Sequence, residues 1–299
     1  MKTVIYSFFL AFLVLATPLS AETRVQDDNG EEIRLSKPAQ RIVSLAPHVT
    51  ELLYAAGAGH KLVGVVQFSD YPPAALKINK VGGYTKLDLE AIIALQPDLL
   101  VAWRTGNNPE QLAKLKRFGL PIYVHDSHTI PAIADTIEKL GQLSGTLPEA
   151  RQSAAQFRHR YQQLQQKYRG RPTVRGFYQV WNQPLITVND QGLINEVLHF
   201  CGIENVFAKL PGQFPRISIE AVLKQDPQLI IASGMDTARP EWLDDWRKWH
   251  TLQAVQANTL YFVPPSIIQR HAPRILDAIQ QVCEQAEQAR QKPATVPVN

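Results

Sequence analysis

Leu87-Asp88-Leu89-Glu90-Ala91-Ile92-Ile93-Ala94-Leu95-Gln96-Pro97-Asp98-Leu99-Leu100-Val101-Ala102 returns 130 residues later as Ile217-Ser218-Ile219-Glu220-Ala221-Val222-Leu223-Lys224-Gln225-Asp226-Pro227-Gln228-Leu229-Ile230-Ile231-Ala232. Both copies read apolar, helix-capping, apolar, Glu, Ala, two apolars, three variable positions, Pro, one variable position, then an apolar run ending in Ala. The physics of the two copies is the same. Asp88 or Ser218 can accept a hydrogen bond from the first turn of a short helix. The proline cannot continue that helix. The runs Leu99–Ala102 and Leu229–Ala232 show no polar alternation, which marks strands buried on both faces, as in a parallel sheet. Self-similarity at a fixed offset points to a duplicated architecture, so two similar α/β lobes are expected.

A second pair of segments extends the repeat. Thr50-Glu51-Leu52-Leu53 runs to Gly57, and Asn195-Glu196-Val197-Leu198 runs to Gly202. Each reads as a helix capped by Thr50 or Asn195 and closed by a glycine. Around these motifs, Arg41–Leu45, Leu62–Val66, Leu99–Ala102 and Ile122–Val124 are the strand candidates of the first lobe. Arg175–Val180, Leu229–Ala232 and Thr259–Val263 are those of the second. Strands alternating with helices give sheets covered on both faces. Between the lobes, Pro148 to Tyr168 is rich in Ala and Gln, with Phe157, Tyr161, Leu164 and Tyr168 at helical spacing and no internal Gly or Pro. It reads as one continuous helix. The expected fold is therefore α/β, two similar Rossmann-like lobes joined by a single long α-helix. The expected bounds are 22–147 for the first lobe, 148–170 for the connector and 171–299 for the second. Asp28-Asn29-Gly30-Glu31 between Arg24–Gln26 and Ile33–Leu35 is a hairpin signal with a structural role. Residues 291–299 read as a frayed tail.

The N-terminus places the chain in a compartment. Lys2, the apolar stretch Val4 to Ala16, then Pro18-Leu19-Ser20-Ala21 form a secretory signal peptide over residues 1–21. That apolar run is shorter than the roughly 20 residues a membrane span needs. No cysteine follows the cleavage site, and no later stretch is long and apolar enough to span, so a soluble exported protein is expected. Loss of Lys2 lowers the formal charge from +4 by one. A weakly basic chain without a basic block gives no reason to expect nucleic acid. Export to an oxidising space favours a disulfide between Cys201 and Cys283 over two buried free thiols, although sequence carries no Cα separation.

Enzyme motifs are missing: there is no G-x-S-x-G elbow, Walker loop or H-E-x-x-H. The G-x-G of Gly57-Ala58-Gly59 closes a helix, whereas a dinucleotide site opens one. Of the eight histidines, only His125 and His128 are neighbours, in a segment Val124–Thr129 that reads as a loop. No cysteine or second histidine pair completes a tetrahedral metal set, so neither a metal nor a cofactor is expected.

The residues that follow the strands are more informative, because doubly wound sheets bind ligands beyond the carboxyl ends of their strands. Ser69-Asp70-Tyr71-Pro72-Pro73 follows Leu62–Val66, Tyr84 precedes the first repeat helix, and Trp103-Arg104 follow Leu99–Ala102. In the second lobe, Trp181 follows Arg175–Val180, Phe214 precedes the second repeat helix as Tyr84 does the first, and Arg270 lies past Thr259–Val263. Together these would ring one cleft with aromatic area of about 150–250 Å² per side chain and a few orienting polar groups. Trp242, Trp246 and Trp249 share one helical face and read as core packing. Glu90 and Glu220, in the first turns of equivalent helices, interact favourably with the helix dipole. They also offer one exposed acidic knob per lobe to a two-fold symmetric transporter.

These residues resemble the periplasmic cobalamin-binding proteins of ABC importers, within the helical-backbone class of substrate-binding proteins. The resemblance runs from about Arg41 to Cys283. It is carried by Ser69-Asp70-Tyr71-Pro72-Pro73, Pro97-Asp98-Leu99-Leu100-Val101-Ala102-Trp103-Arg104, Cys201-Gly202-Ile203-Glu204-Asn205-Val206-Phe207 and Ala272-Pro273-Arg274-Ile275. It implies a monomer that is not an enzyme and that carries a corrinoid as cargo. The corrinoid would sit against Tyr71, Tyr84, Trp103, Phe214 and Arg270, with the Trp181 region covering one side. It further implies docking of Glu90 and Glu220 on arginines of a permease dimer, and a Cys201–Cys283 disulfide. The N-terminal hairpin is more typical of relatives that bind iron chelates, which makes a ferric siderophore or haem the alternative ligand.

Overall fold

The computed structural model describes residues 22–126, 129–234 and 238–292; the expected signal peptide, His128 and most of the expected tail lie outside them. The chain opens with an antiparallel hairpin of β1 (Thr23–Gln26) and β2 (Glu32–Leu35). The first lobe then alternates β3 (Ile42–Ser44), α1 (Pro47–Ala55), β4 (Leu62–Val65), α2 (Leu89–Ala94), β5 (Leu99–Trp103), α3 (Pro109–Arg117), β6 (Ile122–His125) and α4 (Ala132–Ser144). The long helix α5 (Leu147–Tyr168) crosses to the second lobe. There β7 (Val174–Gln179) is followed by a two-strand ribbon, β8 (Trp181–Asn182) with β9 (Leu185–Ile186). Next come α6 (Leu193–Phe200), β10 (Ile203–Asn205), α7 (Ile219–Gln225), β11 (Leu229–Ala232), α8 (Gln253–Gln256), β12 (Leu260–Phe262), α9 (Pro265–Ile268) and α10 (Ile275–Gln291).

The two sheets have one topology. The first runs β4-β3-β5-β6 and the second β10-β7-β11-β12, all parallel. In both, the chain starts at an inner strand, steps outward to one edge, then returns to the other side of its first strand. The repeat that opened the sequence lands on equivalent parts: α2 with β5, and α7 with β11. Asp88 accepts from the Ala91 N–H and Ser218 from the Ala221 N–H, so both expected caps form.

Alternating strand residues feed opposite faces of each sheet. Val43, Leu100 and Ala102 face a front cluster with Ile92 and Leu115. Phe177, Ile230 and Ala232 do the same in the second lobe, with Val222, Leu243 and Trp246. The rear faces behave differently. Ile42, Leu99 and Val101 of the first sheet belong to the same cluster as Leu229 and Ile231 of the second, joined through Ala150, Ala154, Phe157, Leu164 and Tyr168 of α5 and through α6 and α10. Burial of side chains such as Phe157 or Leu164 stabilises by about 1.5–3 kcal/mol each. The connector is therefore a structural wall shared by both lobes. It is also tied to α10 by the Arg160–Asp277 ion pair at 2.7 Å, and α6 is tied to α10 by the Cys201–Cys283 disulfide.

Some local expectations are corrected. Thr50 and Asn195 do not cap their helices: α1 starts at Pro47 after Ala46, α6 at Leu193 after Gly192, and neither start has a side-chain cap. Thr50 sits one turn inside α1, where its hydroxyl joins Ser44 and Ser69. The closing glycines do occupy the left-handed region, with φ of 79° at Gly57 and 68° at Gly202. His125 is the buried last residue of β6 and does not lie in a loop. Strand β10 went unread because Ile203-Glu204-Asn205 is short and polar at its centre, as an edge strand can be. Trp242 and Trp246 lie on a 3₁₀ segment, Glu241–Lys248, of which Trp246 is core, while Trp249 beyond it is 38% exposed. Gln291 still belongs to α10.

Candidate functional site

In a sheet that winds both ways from its first strand, a crevice opens between the carboxyl ends of that strand and its neighbour across the reversal. In the first lobe this point lies between β3 and β5; in the second it lies between β7 and β11. His48 follows β3, Trp103 ends β5, Trp181 follows β7 and Ser233 follows β11. The candidates Trp103 and Trp181 thus stand at the carboxyl ends of the strands at the reversal, one in each lobe.

The first-lobe wall is built around an amide that sequence reading passed over. Asn107 is buried; its Oδ1 accepts from the Trp103 N–H at 2.7 Å, and its Nδ2 donates to Leu45 O and Tyr84 O, each at 2.8 Å. One side chain therefore ties the end of β3, the Tyr84 loop and the Trp103 corner together. The Tyr84 and Trp103 rings lie 5.7 Å apart. Gly106 allows this packing, since a Cβ there would stand 1.8 Å from the Trp103 ring. Beneath Trp103 sits His48, edge-on at 5.1 Å, with His125 and His271 at 5.3 and 6.2 Å. Burial, reinforced by His125, His271 and Arg270, pushes the His48 imidazole well below its usual range, so it is neutral at pH 7. Among the described residues, no group of three or more His, Cys, Asp or Glu side chains is placed to hold a metal ion. Arg104 is half-exposed and faces Asp126 at 3.3 Å.

The segment after β4 supplies a further ring. Phe68 is 71% exposed and has a φ of 62°, an uncommon conformation for a bulky residue. The Ser69–Pro73 motif one residue on does not include it; its place just past a strand end was the available signal. Its carbonyl accepts from Arg270 Nη2 at 3.1 Å. Tyr71 is exposed on one side, and the Arg274 guanidinium lies over its ring at 4.0 Å from the centroid. Arg270 therefore stands at the lobe junction. It donates to Asp70 at 2.6 Å and to Glu51 at 3.0 Å.

The second-lobe wall is a small antiparallel patch. Trp181 pairs with Ile186 in the ribbon. The ribbon continues into the segment before α7 through Thr187 N–H to Pro215 O at 3.1 Å and Ile217 N–H to Leu185 O at 3.0 Å. Trp181 and Phe214 are thus mounted on one frame. Trp181 meets Trp242 edge-on at 6.4 Å, while Phe214 is 53% exposed. Glu90 and Glu220 are exposed in the first turns of α2 and α7. A hydrogen bond from Ser218 lowers the Glu220 carboxyl below its ordinary value. No helix among the described residues is long and apolar enough to cross a membrane.

A family model described as periplasmic binding protein matches residues 42–267. The chain is 42% identical over 260 residues to the vitamin B12-binding protein of Vibrio parahaemolyticus serotype O3:K6, covering 86% of this chain and 93% of that one. Among solved structures, the periplasmic vitamin B12 binding protein BtuF of Vibrio cholerae superposes with a TM-score of 0.79 at 40% identity, over 85% of this chain and 99% of that chain. The periplasmic heme-binding protein RhuT from Roseiflexus sp. RS-1 shares the fold, with a TM-score of 0.74 at 20% identity, over 84% and 99% of the two chains.

Proposed function

The chain belongs to the periplasmic binding protein family, and from that premise we propose that it captures vitamin B12 or a related corrinoid between its lobes and delivers it to the permease of an ABC importer. Proteins of this kind bind their cargo and do not transform it, so the chain is not an enzyme. The observation that carries the ligand is the 42% identity, over nearly the whole chain, to a protein named for vitamin B12 binding. The geometry agrees. A corrin is a broad, flat, largely apolar ring system with polar rim groups. Exposed or half-exposed rings at Tyr71, Tyr84, Trp103, Trp181 and Phe214 present aromatic area on both lobes, and Arg104 adds a half-exposed cation near the rim. Arg270 contributes through the lobe junction.

The mature protein, released by cleavage after residue 21, acts as a monomer with lobes over 22–147 and 171–299. Glu90 and Glu220 then meet basic pockets on the two halves of the permease. A connector that shares its core with both lobes permits little hinge motion, so the transporter must supply the force that parts them.

Isothermal titration of the mature protein with cyanocobalamin tests the ligand. One-to-one saturable binding, weakened by Trp103→Ala, is expected. No binding, with saturation by haem or a ferric siderophore instead, would move the ligand to the iron chelates. The Glu90→Ala/Glu220→Ala double variant should keep its affinity and lose transport in reconstituted vesicles; lost affinity with normal transport would reverse that division of labour.

A further inference from the structure

The second repeat pair carries two glutamates, Glu51 and Glu196, each six residues before its closing glycine. Neither is one of the two expected docking glutamates, and each reaches out of its own lobe. Glu51, on α1, is 3% exposed. Its carboxylate accepts from Arg274 Nε at 2.8 Å, Arg274 Nη2 at 2.7 Å and Arg270 Nη1 at 3.0 Å. Both arginines belong to the stretch between α9 and α10 in the second lobe. Glu196, on α6, makes the reciprocal crossing: its two oxygens lie 3.0 and 3.1 Å from the Ile130 N–H, in the loop after β6 of the first lobe. The duplicated helix has thus placed one carboxylate on each side of the junction, aimed at the opposite lobe.

We infer that Glu51 and Glu196 are the positioning residues of the cleft, and that Glu51, acting through Arg270 and Arg274, sets the Phe68–Tyr71 segment against which cargo rests. The chain of contacts is continuous. Arg274, held at two nitrogens by Glu51, has its guanidinium over the Tyr71 ring. Arg270 grips Asp70 and the Phe68 carbonyl. A buried carboxylate paired with two guanidinium groups has a fixed geometry. Removing it leaves two cations without their common partner. Among the described residues Glu196 bears no ion pair, so its half of the junction is the weaker one. The lobes are therefore held firmly on the α1 side and loosely on the α6 side, and opening begins at Glu196. The cargo-placement part of this inference rests on the proposed function; the junction part does not.

The test uses the full mature chain, spin-labelled at Lys77→Cys and Lys248→Cys, which are exposed and lie on opposite lobes. The interlobe distance distribution and the cyanocobalamin Kd are measured for the wild type, Glu51→Gln and Glu196→Gln. Glu51→Gln should broaden the distribution measurably, within the small range that the shared core allows. If the competent arrangement falls to about a tenth of the population, Kd rises about tenfold. In a Tyr71→Ala background the same change should alter Kd by less than half as much on a logarithmic scale, because its effect runs through that ring. Glu196→Gln should broaden the distribution less. Unchanged distributions in both variants would overturn the inference, as would a Glu51→Gln effect on Kd that is undiminished without Tyr71. If the wild type does not bind cyanocobalamin, the proposed function fails while the distance measurement still decides the junction. Should Glu51→Gln not fold, Arg274→Lys keeps the charge but loses the two-nitrogen grip and reads the same quantities.

Discussion

Replacing Cys201 and Cys283 together with alanine should lower the melting temperature of the mature protein by about 8 °C without altering its cargo affinity. The disulfide joins residues 82 positions apart. Closing such a loop removes about 15 cal/mol/K from the unfolded chain, or about 4.5 kcal/mol at 25 °C. Unfolding entropy of about 2.1 cal/mol/K per residue gives about 0.6 kcal/mol/K for roughly 278 mature residues, which converts the loss to about 8 °C. Both sulfurs are buried behind the second sheet, away from the cleft, so affinity should hold. Differential scanning calorimetry of the two single variants and the double variant reads the effect. Either single change already breaks the bridge, so the second should add little to the first. A double-variant shift below about 2 °C, or two single shifts that simply add, would refute the loop-closure argument.

Other expectations follow from the site and the hairpin. Gly106→Ala forces the Trp103 ring out of place and should raise the cyanocobalamin Kd roughly 2- to 12-fold, the value of one well-placed aromatic contact; an unchanged Kd would remove Trp103 from the cleft wall. Asn107→Ala leaves the Trp103 N–H and two buried carbonyls unpaired, and should cost about 1–3 kcal/mol in urea unfolding as well as affinity, whereas loss of stability alone would limit Asn107 to the fold. Burial pushes the Asp28 carboxyl up, but hydrogen bonds from His125, the Asp126 N–H and Lys139 outweigh it and hold the group well below the carboxylate range. Its contribution is therefore present above the unfolded value of about 3.9 and is lost as pH falls below that. Urea midpoints between pH 6 and pH 3 should drop more steeply for the wild type than for Asp28→Asn, and parallel curves would contradict the pairing.

What the sequence disclosed was whatever depends on local pattern. Leu99–Ala102 and Leu229–Ala232 lack polar alternation because both faces of each sheet are covered, and that can be read without coordinates. The length of α5 was legible because Gly and Pro are absent between Pro148 and Tyr168. Helix starts were less so: Thr50 and Asn195 have the chemistry of caps, but Pro47 and Leu193 can begin a helix without one, and Thr50 was taken by the buried hydroxyl cluster with Ser44 and Ser69. The contacts that build the site join residues far apart in the chain. Glu51 meets Arg270 and Arg274 across more than 200 positions, and His48 of α1 meets His125 at the end of β6 and His271 in the stretch before α10. No periodicity encodes such meetings. Asn107 looked like a loop residue because its three partners become neighbours only once the sheet has formed.

The rear layer that both sheets share also bears on when the protein can fold. Ile42, Leu99 and Val101 join a cluster that includes Ile275, Ile279, Val282 and Ala286 of α10, the last helix among the described residues. The first sheet takes its own cover from residues that come early in the chain: Val49, Leu52 and Leu53 of α1 and Ile133, Ile137 and Leu140 of α4 lie in the same cluster. In a chain made amino end first, that part of the wall is therefore present before the second lobe has been synthesised. Helix α10 joins the shared layer last, so the order of the segments along the chain is also an order in which the layer can be assembled.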